Sequence, residues 1–229
     1  MNLGDRWLIL DSVDSTQLEA ARLLLSGEAP DVLFAHDQTQ GKGRLGRTWL
    51  SAANESLTMS LVFHEYQGHA KPWLIGMSCA IAAAQVVSCN LQWPNDLVLN
   101  GKVGGVLTEV LANHEGMTIP VVGIGINISF QPQHPELRNK ATTLAASEFE
   151  EALPIELAKR ITSKVKSLPD PVSWSVVDPL WKPLDKTTGK RYKTPDGEIV
   201  IADHVDDEGR LVARSQTGTH VIYAAEAMF

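Results

Sequence analysis

A tight β-hairpin is predicted within residues 92–109, QWPNDLVLNGKVGGVLTE. Pro94 has no backbone N–H and restricts the residue before it to extended geometry, so it breaks the chain just ahead of a strand. Asn100-Gly101 is a two-residue turn of the kind that tolerates positive φ, and Lys102 opens the returning strand. Gly104-Gly105 follow, and glycines inside a strand often mark the close approach of a ligand or another backbone. We therefore expect Lys102 at a rigid position, either beside a ligand or pointing into water.

A basic loop rich in glycine lies at residues 38–49, QTQGKGRLGRTW. The chain carries a formal net charge of -7, yet this loop sets Lys42, Arg44 and Arg47 among Gly41, Gly43 and Gly46. Glycines let backbone N–H groups approach an anion, and each guanidinium adds a fork of donors, so the loop suits a phosphate-bearing ligand. Its spacing matches neither a Walker phosphate loop nor a Rossmann dinucleotide site. An ordinary solvated basic loop is the alternative explanation.

Five segments in order resemble those of the biotin protein ligases, and together they cover nearly the whole chain. They are Asp14-Ser15-Thr16, Gln38 with the GKGRLGRTW stretch, the WPND block with its lysine, Gly123-Ile124-Gly125-Ile126-Asn127, and a small C-terminal β domain. The resemblance implies an enzyme that joins biotin and ATP into biotinyl-5′-adenylate and releases pyrophosphate. The biotinyl group would then pass to a lysine of a biotin carboxyl carrier protein domain of acetyl-CoA carboxylase. It also implies a catalytic core like that of class II aminoacyl-tRNA synthetases, followed by an SH3-like β-barrel.

The same resemblance assigns roles to individual residues. Those that would surround biotin are Ser15, Thr16, Gln17, Gln38, Gly41, Lys42, Gly43, Arg44, Lys102, Gly105, Gly123 and Gly125. Those that would hold ATP and the adenylate are Arg44, Arg47, Trp49, Asn95, Lys102 and Asn127. Catalysis would depend on Lys102, Arg44 and Lys42, which neutralise negative charge on the carboxylate and the triphosphate. Asp96, together with Asn95, would hold Mg²⁺, which prefers few carboxylates and several waters.

Some of these residues have ordinary structural explanations, and two depart from the family pattern. Thr16 with Glu19 can form a helix capping box. Trp49 can be a core aromatic residue, and Asp96 a turn residue. Gln17 stands where the family usually has Asn, and its extra methylene puts a direct contact with biotin in question. Lys42 replaces an arginine found in some relatives, which keeps the charge but gives up bidentate geometry.

Size and charge exclude several other classes of protein. A chain of 229 residues that is 44% hydrophobic is large enough for one core and a small appendage. The acidic total argues against general nucleic-acid binding. About ten residues before Asp14 leave no room for a DNA-reading domain, so we expect a monofunctional ligase. Neither a signal peptide nor a membrane span is evident, and the cytoplasm is the expected location. Cys79 and Cys89 are expected in the core without a disulfide, and both a monomer and a homodimer are compatible with the sequence.

Helices and strands alternate along most of the chain, which predicts an α+β fold with a mixed sheet packed against helices. The predicted helices are Thr16–Ser26, Pro72–Cys89, Glu150–Leu168 and Val172–Leu180, and the predicted strands outside the hairpin are Val32–His36, Ser56–His64 and Thr118–Ile128. After residue 182 the pattern becomes purely β, with strands at Arg191–Lys193, Ile199–Val205, Leu211–Ser215 and His220–Ala224. We therefore predict a catalytic domain at residues 1–182 and a C-terminal SH3-like β domain at residues 183–229. The small domain is expected to dock on the main body.

Other functions remain open at this stage. A lipoate or octanoate ligase would share the core, and a non-catalytic biotin sensor would share the binding site. His64, Glu65 and His69 suggest a zinc protease, but the two histidines are five residues apart rather than four, so we expect no metal there. The basic loop is predicted to be mobile when empty and to order over the adenylate, which would exclude water and retain the intermediate.

Overall fold

The computed structural model describes residues 1–132, 141–146, 153–194 and 196–223. Its strands are β1 (Trp7–Val13), β2 (Val32–Gln38), β3 (Gly41–Lys42), β4 (Thr48–Trp49), β5 (Ser56–Val62), β6 (Asn90–Gln92), β7 (Asp96–Val98), β8 (Lys102–Ala112), β9 (Thr118–Asn127), β10 (Arg191–Lys193), β11 (Ile199–Val205), β12 (Leu211–Arg214) and β13 (Thr219–Ile222). Its α-helices are α1 (Thr16–Ser26), α2 (Pro72–Val86), α3 (Pro154–Ser167) and α4 (Trp174–Trp181).

Seven of the strands form one sheet in the order β1-β2-β5-β9-β8-β7-β6. The β1–β2 pair is parallel and the other pairs are antiparallel, so the sheet is mixed, as predicted. Within the long β8–β9 ladder, Gly105 lies opposite Gly125 and Leu107 lies opposite Gly123. Gly105 and Gly125 are therefore neighbours across the central strands, so side chains from other elements can lie close to the sheet here.

The helices form close to where the sequence predicts them, although α2 ends at Val86 rather than Cys89 and α4 begins at Trp174 rather than Val172, and their burial follows their composition. Helix α1 ends at Gly27, whose φ of 78° is the left-handed geometry that glycine adopts without penalty, and whose N–H bonds back to the last turn. Helix α2 is apolar on all sides and is almost wholly buried, because it packs between the sheet and helices α3 and α4. The amphipathic helix α3 buries Leu157, Ile161 and Val165 and leaves Lys159 exposed. The predicted start of α3 at Glu150 lies outside the described residues.

The structure corrects several details of the prediction. The capping box of Thr16 and Glu19 does not form: the N-cap is Ser15, which makes no side-chain cap bond, and Glu19 pairs with Arg22. Strand β5 was expected to be half-buried, yet all seven of its residues are buried because helices cover both faces of the sheet. The sequence prediction missed edge strands β1 and β6, and the short β3–β4 ladder that closes the basic loop.

The C-terminal strands form a separate four-stranded antiparallel sheet in the order β10-β11-β12-β13, consistent with an SH3-like domain. This sheet is docked on the main body through Trp93, which precedes a cis peptide bond to Pro94. The Trp93 indole Nε1 donates to the carbonyl of Gly209 at 3.0 Å, and its backbone N–H donates to Thr187 Oγ1 at 2.8 Å. One hydrophobic cluster runs from helix α2 through Trp93 to Tyr192 and Leu211. The proposed boundary after residue 182 stays a prediction.

Three other expectations concern the described part of the chain. Cys79 and Cys89 are both buried and unbonded, as expected. Within that part, no helix combines the length and the apolar character that a membrane span requires. The same residues contain no group of three or more histidine, cysteine or acidic side chains placed to hold a metal ion, and this includes His64 and His69.

Candidate ligand-binding site

A cavity of about 600 Å³ opens above the glycines of β8 and β9. Its walls come from the start of α1, the basic loop, the β6–β7 hairpin, the central strands and the first residues of the C-terminal sheet. Six cationic side chains line it: Lys42, Arg44, Arg47, Lys102, Lys190 and Arg191. Among the described residues Asp96 is the only carboxylate in the lining. In a chain with a net charge of -7, such a lining selects for an anion.

One wall of the cavity is neutral, polar and tightly bonded. Gln38 Oε1 accepts from the Thr16 backbone N–H at 2.9 Å and from the Thr16 hydroxyl at 3.2 Å. Ser60 Oγ donates to Thr16 Oγ1 at 2.8 Å. All three residues are buried. The acceptor capacity of Gln38 is used inside the protein, which leaves its amide NH₂ as the group that it can offer to a ligand.

Gln17 is the next buried residue of this wall, and glycine makes room for it. A Cβ at Gly123 would lie 3.2 Å from Gln17 Cδ, which is closer than an ordinary van der Waals contact. The Gln17 amide Nε2 donates to Glu109 Oε2 at 2.9 Å. Gly123 was expected among the residues that surround the ligand, and its immediate role in the structure is to accommodate the Gln17 side chain.

Trp49 lies flat against the sheet because Gly125 has no side chain. A Cβ at Gly125 would lie 2.5 Å from Trp49 Cε2, so any larger residue would displace the indole. Gly41 also packs internally: a Cβ there would lie 2.5 Å from both Gln38 Nε2 and the Trp49 carbonyl oxygen. Gly41 is absent from the lining of the cavity, so its predicted contact with a ligand has no counterpart in this geometry. Gly105 does line the cavity, and the nearest atoms to its missing Cβ are at 3.6 Å.

The cationic end of the cavity is built from the basic loop, the β6–β7 turn and the first residue of β8. Arg44 Nη1 donates to Asn95 Oδ1 at 3.1 Å, which ties the loop to the main body. Asn95 Nδ2 in turn donates to the carbonyl of Val106 at 2.9 Å. Lys102 Nζ lies 2.6 Å from Asp96 Oδ1, and the Lys102 side chain keeps 34% of its surface exposed. The Lys102 side chain therefore lies at the edge of the cavity, beside Asp96, rather than extending into bulk water.

Burial changes the acid–base properties of Arg44. Loss of solvent lowers the pKa of its guanidinium, the nearby Asp96 carboxylate raises it, and Arg47 lowers it. Arginine stays charged in proteins, so the consequence is a partly desolvated cation rather than a neutral group. A desolvated cation interacts more strongly with a bound anion than a hydrated one.

Five buried polar atoms of the lining find no hydrogen-bond partner among the described residues. They are Ser15 Oγ, Gln17 Oε1, Arg44 Nη2, Trp49 Nε1 and Asn127 Oδ1. Buried polar atoms in folded proteins are almost always paired, so this set indicates groups that a polar ligand would satisfy. Asn127 is partly committed already, because its Nδ2 donates to the carbonyl of Thr142 at 3.1 Å.

The cavity brings together all the site residues predicted from the sequence except Gly41. Sequence reasoning missed Glu109, which holds Gln17, and two cations, Arg191 at the start of the C-terminal sheet and Lys190 just before it. Gln92, which Lys190 contacts, was also missed. No local pattern singles out these residues, because their relation to the site depends on strand register and on how the small sheet docks.

Taken together, these features define an α+β protein with a cavity for an anionic ligand that also carries neutral polar groups. The sequence model of the Biotin/lipoate A/B protein ligase family matches residues 9–127, more than half of the 229-residue chain. The chain belongs to this family.

Curated relatives and solved structures agree with the family assignment. The chain is 30% identical to the bifunctional ligase/repressor BirA of Bacillus spizizenii, over 98% of this chain and 74% of that protein. It is 27% identical to the biotin–[acetyl-CoA-carboxylase] ligase of Paracoccus denitrificans, over 96% of this chain and 99% of that protein. Its fold is similar to that of the biotin protein ligase from Aquifex aeolicus in complex with biotin and ATP, with a TM-score of 0.70, 23% identity and 98% coverage of each chain.

Proposed function

We propose that this chain is an ATP-dependent ligase that activates biotin as biotinyl-5′-adenylate and transfers the biotinyl group to a carrier lysine. The observation that carries the proposal is the division of one cavity into a neutral wall at Ser15–Gln17 and a cationic end at Arg44 and Lys102. Biotin has the same division, with a neutral ureido ring at one end and a carboxylate at the other. The name of the Paracoccus relative, which specifies biotin, supports the same conclusion, and the name of the Bacillus relative supports a ligase.

In the first step, a carboxylate oxygen of biotin attacks the α-phosphorus of ATP. The bond from that phosphorus to the bridging oxygen of the β-phosphate breaks, and pyrophosphate leaves with the electron pair. Both reactants are anions, so the site must offset their repulsion. One cation about 4 Å from one anion is worth roughly 4 kcal/mol at an effective dielectric near 20. Lys102, Arg44 and Lys42 are proposed to supply this stabilisation, with Lys102 between the carboxylate and the α-phosphate.

In the second step, the neutral amine of a carrier lysine attacks the acyl carbon of the adenylate. The bond from that carbon to the phosphate oxygen breaks, AMP leaves, and the amine loses its proton to solvent. The proposed acceptor is the biotin carboxyl carrier domain of acetyl-CoA carboxylase. The Paracoccus relative supports this choice, because its name specifies that carboxylase.

The nucleotide is proposed to lie against Trp49 and Asn127, with its phosphates near the cations. Trp49 offers an aromatic face, and Asn127 keeps one unpaired amide oxygen for the adenine edge. Arg47, Lys190 and Arg191 are proposed to face the leaving pyrophosphate. Asp96 would hold Mg²⁺ beside the nucleotide phosphates, since this ion favours few carboxylates and several waters. The ion would neutralise part of the phosphate charge, and Asp96 would then no longer be paired with Lys102 as it is in this structure.

The decisive test is intact mass spectrometry of a purified carrier domain after incubation with the protein, biotin and MgATP. The expected result is a gain of one biotinyl group on the carrier, and no gain in a reaction without ATP. Two further arms replace biotin with lipoic acid or octanoic acid. Modification in those arms alone would establish a lipoate-type ligase instead.

A pyrophosphate-exchange assay without the carrier distinguishes the proposed ligase from a non-catalytic biotin sensor. Biotin-dependent exchange is expected, because the adenylation step is reversible and needs no acceptor. Binding of biotin without any exchange would identify a non-catalytic sensor and would remove the proposed chemistry.

A further inference from the structure

The structure points to Glu109 as a positioning residue that fixes which end of the Gln17 amide faces the ligand, and we propose this role for it. The inference rests on the proposed function, because it names how biotin would be recognised. It concerns Gln17, the residue at which this chain departs from the Asn usual in the family. Glu109 lies on β8, next to the cavity but outside its lining.

Three contacts determine the orientation of the Gln17 side chain. Its Nε2 donates to Glu109 Oε2 at 2.9 Å and approaches the carbonyl oxygen of Leu107 at 3.4 Å. The third contact is with Gly123, over which the aliphatic part of Gln17 lies. Gln17 is only 4% exposed, so its side chain has little freedom to rearrange.

The chemistry of these partners leaves one choice for the amide. A carboxylate and a backbone carbonyl are both acceptors, so each requires the NH₂ end of the glutamine amide. The other end, Oε1, is then turned away from Glu109. It is buried and has no partner among the described residues, although Gln17 lines the cavity. The amide is thereby held as a fixed acceptor.

A fixed acceptor selects for an N–H donor on the ligand. The ureido ring of biotin carries two N–H groups and one carbonyl group, and Gln17 Oε1 is assigned to one of the N–H groups. A ligand with an acceptor at that point would leave two opposed oxygens in a buried place, which is strongly unfavourable. Glu109 does not contact the ligand. It acts through Gln17.

The test replaces Glu109 with glutamine and compares biotin with two cyclic carbamate analogues, in each of which a ring oxygen replaces one ureido N–H. Wild-type protein should reject one of the two analogues by about 100-fold in kcat/KM for pyrophosphate exchange. In Glu109→Gln, the new amide can donate as well as accept, so the Gln17 amide can turn over. We expect KM for biotin to rise about tenfold, kcat to stay within about twofold, and discrimination against the carbamate to fall about tenfold.

A double-mutant cycle separates this role from a general structural one. Gln17→Met should abolish the discrimination, and adding Glu109→Gln to it should change nothing further, because the amide through which Glu109 acts is gone. Gly123→Ala keeps both polar groups but pushes Gln17 aside, and it should reproduce a weaker version of the effect. Glu115→Gln is the matched control, since Glu115 lies in the β8–β9 turn with 66% of its side chain exposed.

Two results would overturn the role of Glu109 while leaving the proposed function intact. One is that Glu109→Gln discriminates against the carbamate as strongly as the wild type does. The other is that the effect of Glu109→Gln adds fully to that of Gln17→Met. A wild-type protein that carries out no biotin-dependent exchange would instead overturn the proposed function and this assignment with it. Retained thermal stability of each variant, measured by circular dichroism, ensures that the comparison concerns folded protein.

Discussion

At the scale of single residues, the site is a set of polar atoms held in fixed directions. Thr16 uses up the Gln38 side-chain carbonyl through its N–H and its hydroxyl, and Glu109 uses up the Gln17 NH₂ group. Asn95 holds one arm of Arg44 and leaves Nη2 unpaired. Each contact determines which atom remains for a ligand, so the site is organised before anything binds. Such preorganisation lowers the free energy needed to reach the transition state.

Lys102→Ala is expected to slow adenylation much more than it weakens biotin binding. The lysine is proposed to stabilise charge that develops as the carboxylate meets the α-phosphate, and removal of one such donor typically costs about 100-fold or more in kcat. The effect on KM for biotin should stay within about fivefold. Pyrophosphate exchange measures the rate, and calorimetry measures biotin affinity.

The control for this experiment is Lys159→Ala, which removes an equally charged side chain from the exposed face of α3. Among the described residues, Lys159 pairs only with Glu156. That variant should match the wild type. Unchanged exchange in Lys102→Ala would remove the catalytic role of Lys102.

At the scale of elements, the basic loop and the C-terminal sheet both contact the turn between β6 and β7. Short strands β3 and β4 close the base of the loop, and a bond from the Gly43 N–H to the Arg47 carbonyl at 2.8 Å shapes its tip. Arg44 then ties the loop to Asn95. The C-terminal sheet is attached through Trp93. The contact that ties down the basic loop and the contact that docks the C-terminal sheet therefore involve residues of the same turn, Asn95 and Trp93.

Arg44→Gly is expected to release biotinyl-adenylate into solution during turnover. The substitution removes the contact with Asn95 and one desolvated cation, so the loop would cover the intermediate less well. Free adenylate is measured by mass spectrometry after rapid removal of protein. The control is Lys186→Gly, which removes an exposed cation from the connection before β10. Equal retention of the adenylate by wild type and Arg44→Gly would contradict the role of the loop.

Gly209→Ala is expected to destabilise the docked C-terminal sheet. A Cβ at Gly209 would lie 2.8 Å from the Trp73 ring, and its φ is +76°. The clash should lower the free energy of unfolding by about 1–3 kcal/mol, in addition to about 1 kcal/mol for the left-handed backbone. Urea unfolding of the wild type and of Gly209→Ala measures this difference in the free energy of unfolding.

Gly116→Ala isolates the backbone part of this cost, since Gly116 has a φ of +78° and no atom within 4 Å of the missing Cβ. The difference between the two alanine variants then reports the packing against Trp73. Equal destabilisation of the two would show that this packing is not important for stability.

At the scale of the whole molecule, one hydrophobic core links the seven-stranded sheet to the small C-terminal sheet. Tyr192, Val200 and Leu211 belong to the same cluster as Ile75 and Trp93. Burial raises the pKa of both cysteine thiols, that of Cys89 to about 12, so each stays protonated and unreactive near neutral pH while the protein is folded. Thiol exposure can therefore serve as a probe of global unfolding.

We expect the two sheets to unfold in one cooperative transition. Labelling of Cys79 and Cys89 at pH 8, tryptophan fluorescence and far-ultraviolet circular dichroism should give the same midpoint in urea. The raised thiol pKa values favour the folded state below the ordinary thiol pKa, and this contribution is lost as the pH rises through the folded-state values. A separate transition at lower urea, with the thiols still protected, would show that the C-terminal sheet unfolds independently.

The sequence by itself determined the local elements and the chemistry available to them. Asn100-Gly101 indicated a hairpin turn ahead of Lys102, although Val98 pairs with Lys102 and the loop therefore holds three residues, 99–101, rather than two. The basic loop indicated an anion site, and the apolar composition of residues 72–86 specified a buried helix. These features depend on neighbouring residues alone, through backbone geometry and hydrophobic patterning. The family resemblance then supplied the roles of residues such as Gln38 and Asn127.

Only the tertiary structure decided how distant residues cooperate. Glu109 meets Gln17 because β8 runs beneath the start of α1, and Gly123 and Gly125 are needed because Gln17 and Trp49 lie over them. Lys190 and Arg191 reach the cavity because the small sheet docks on Trp93. Such relations depend on strand register and on packing between segments far apart in the chain, and no local pattern encodes them.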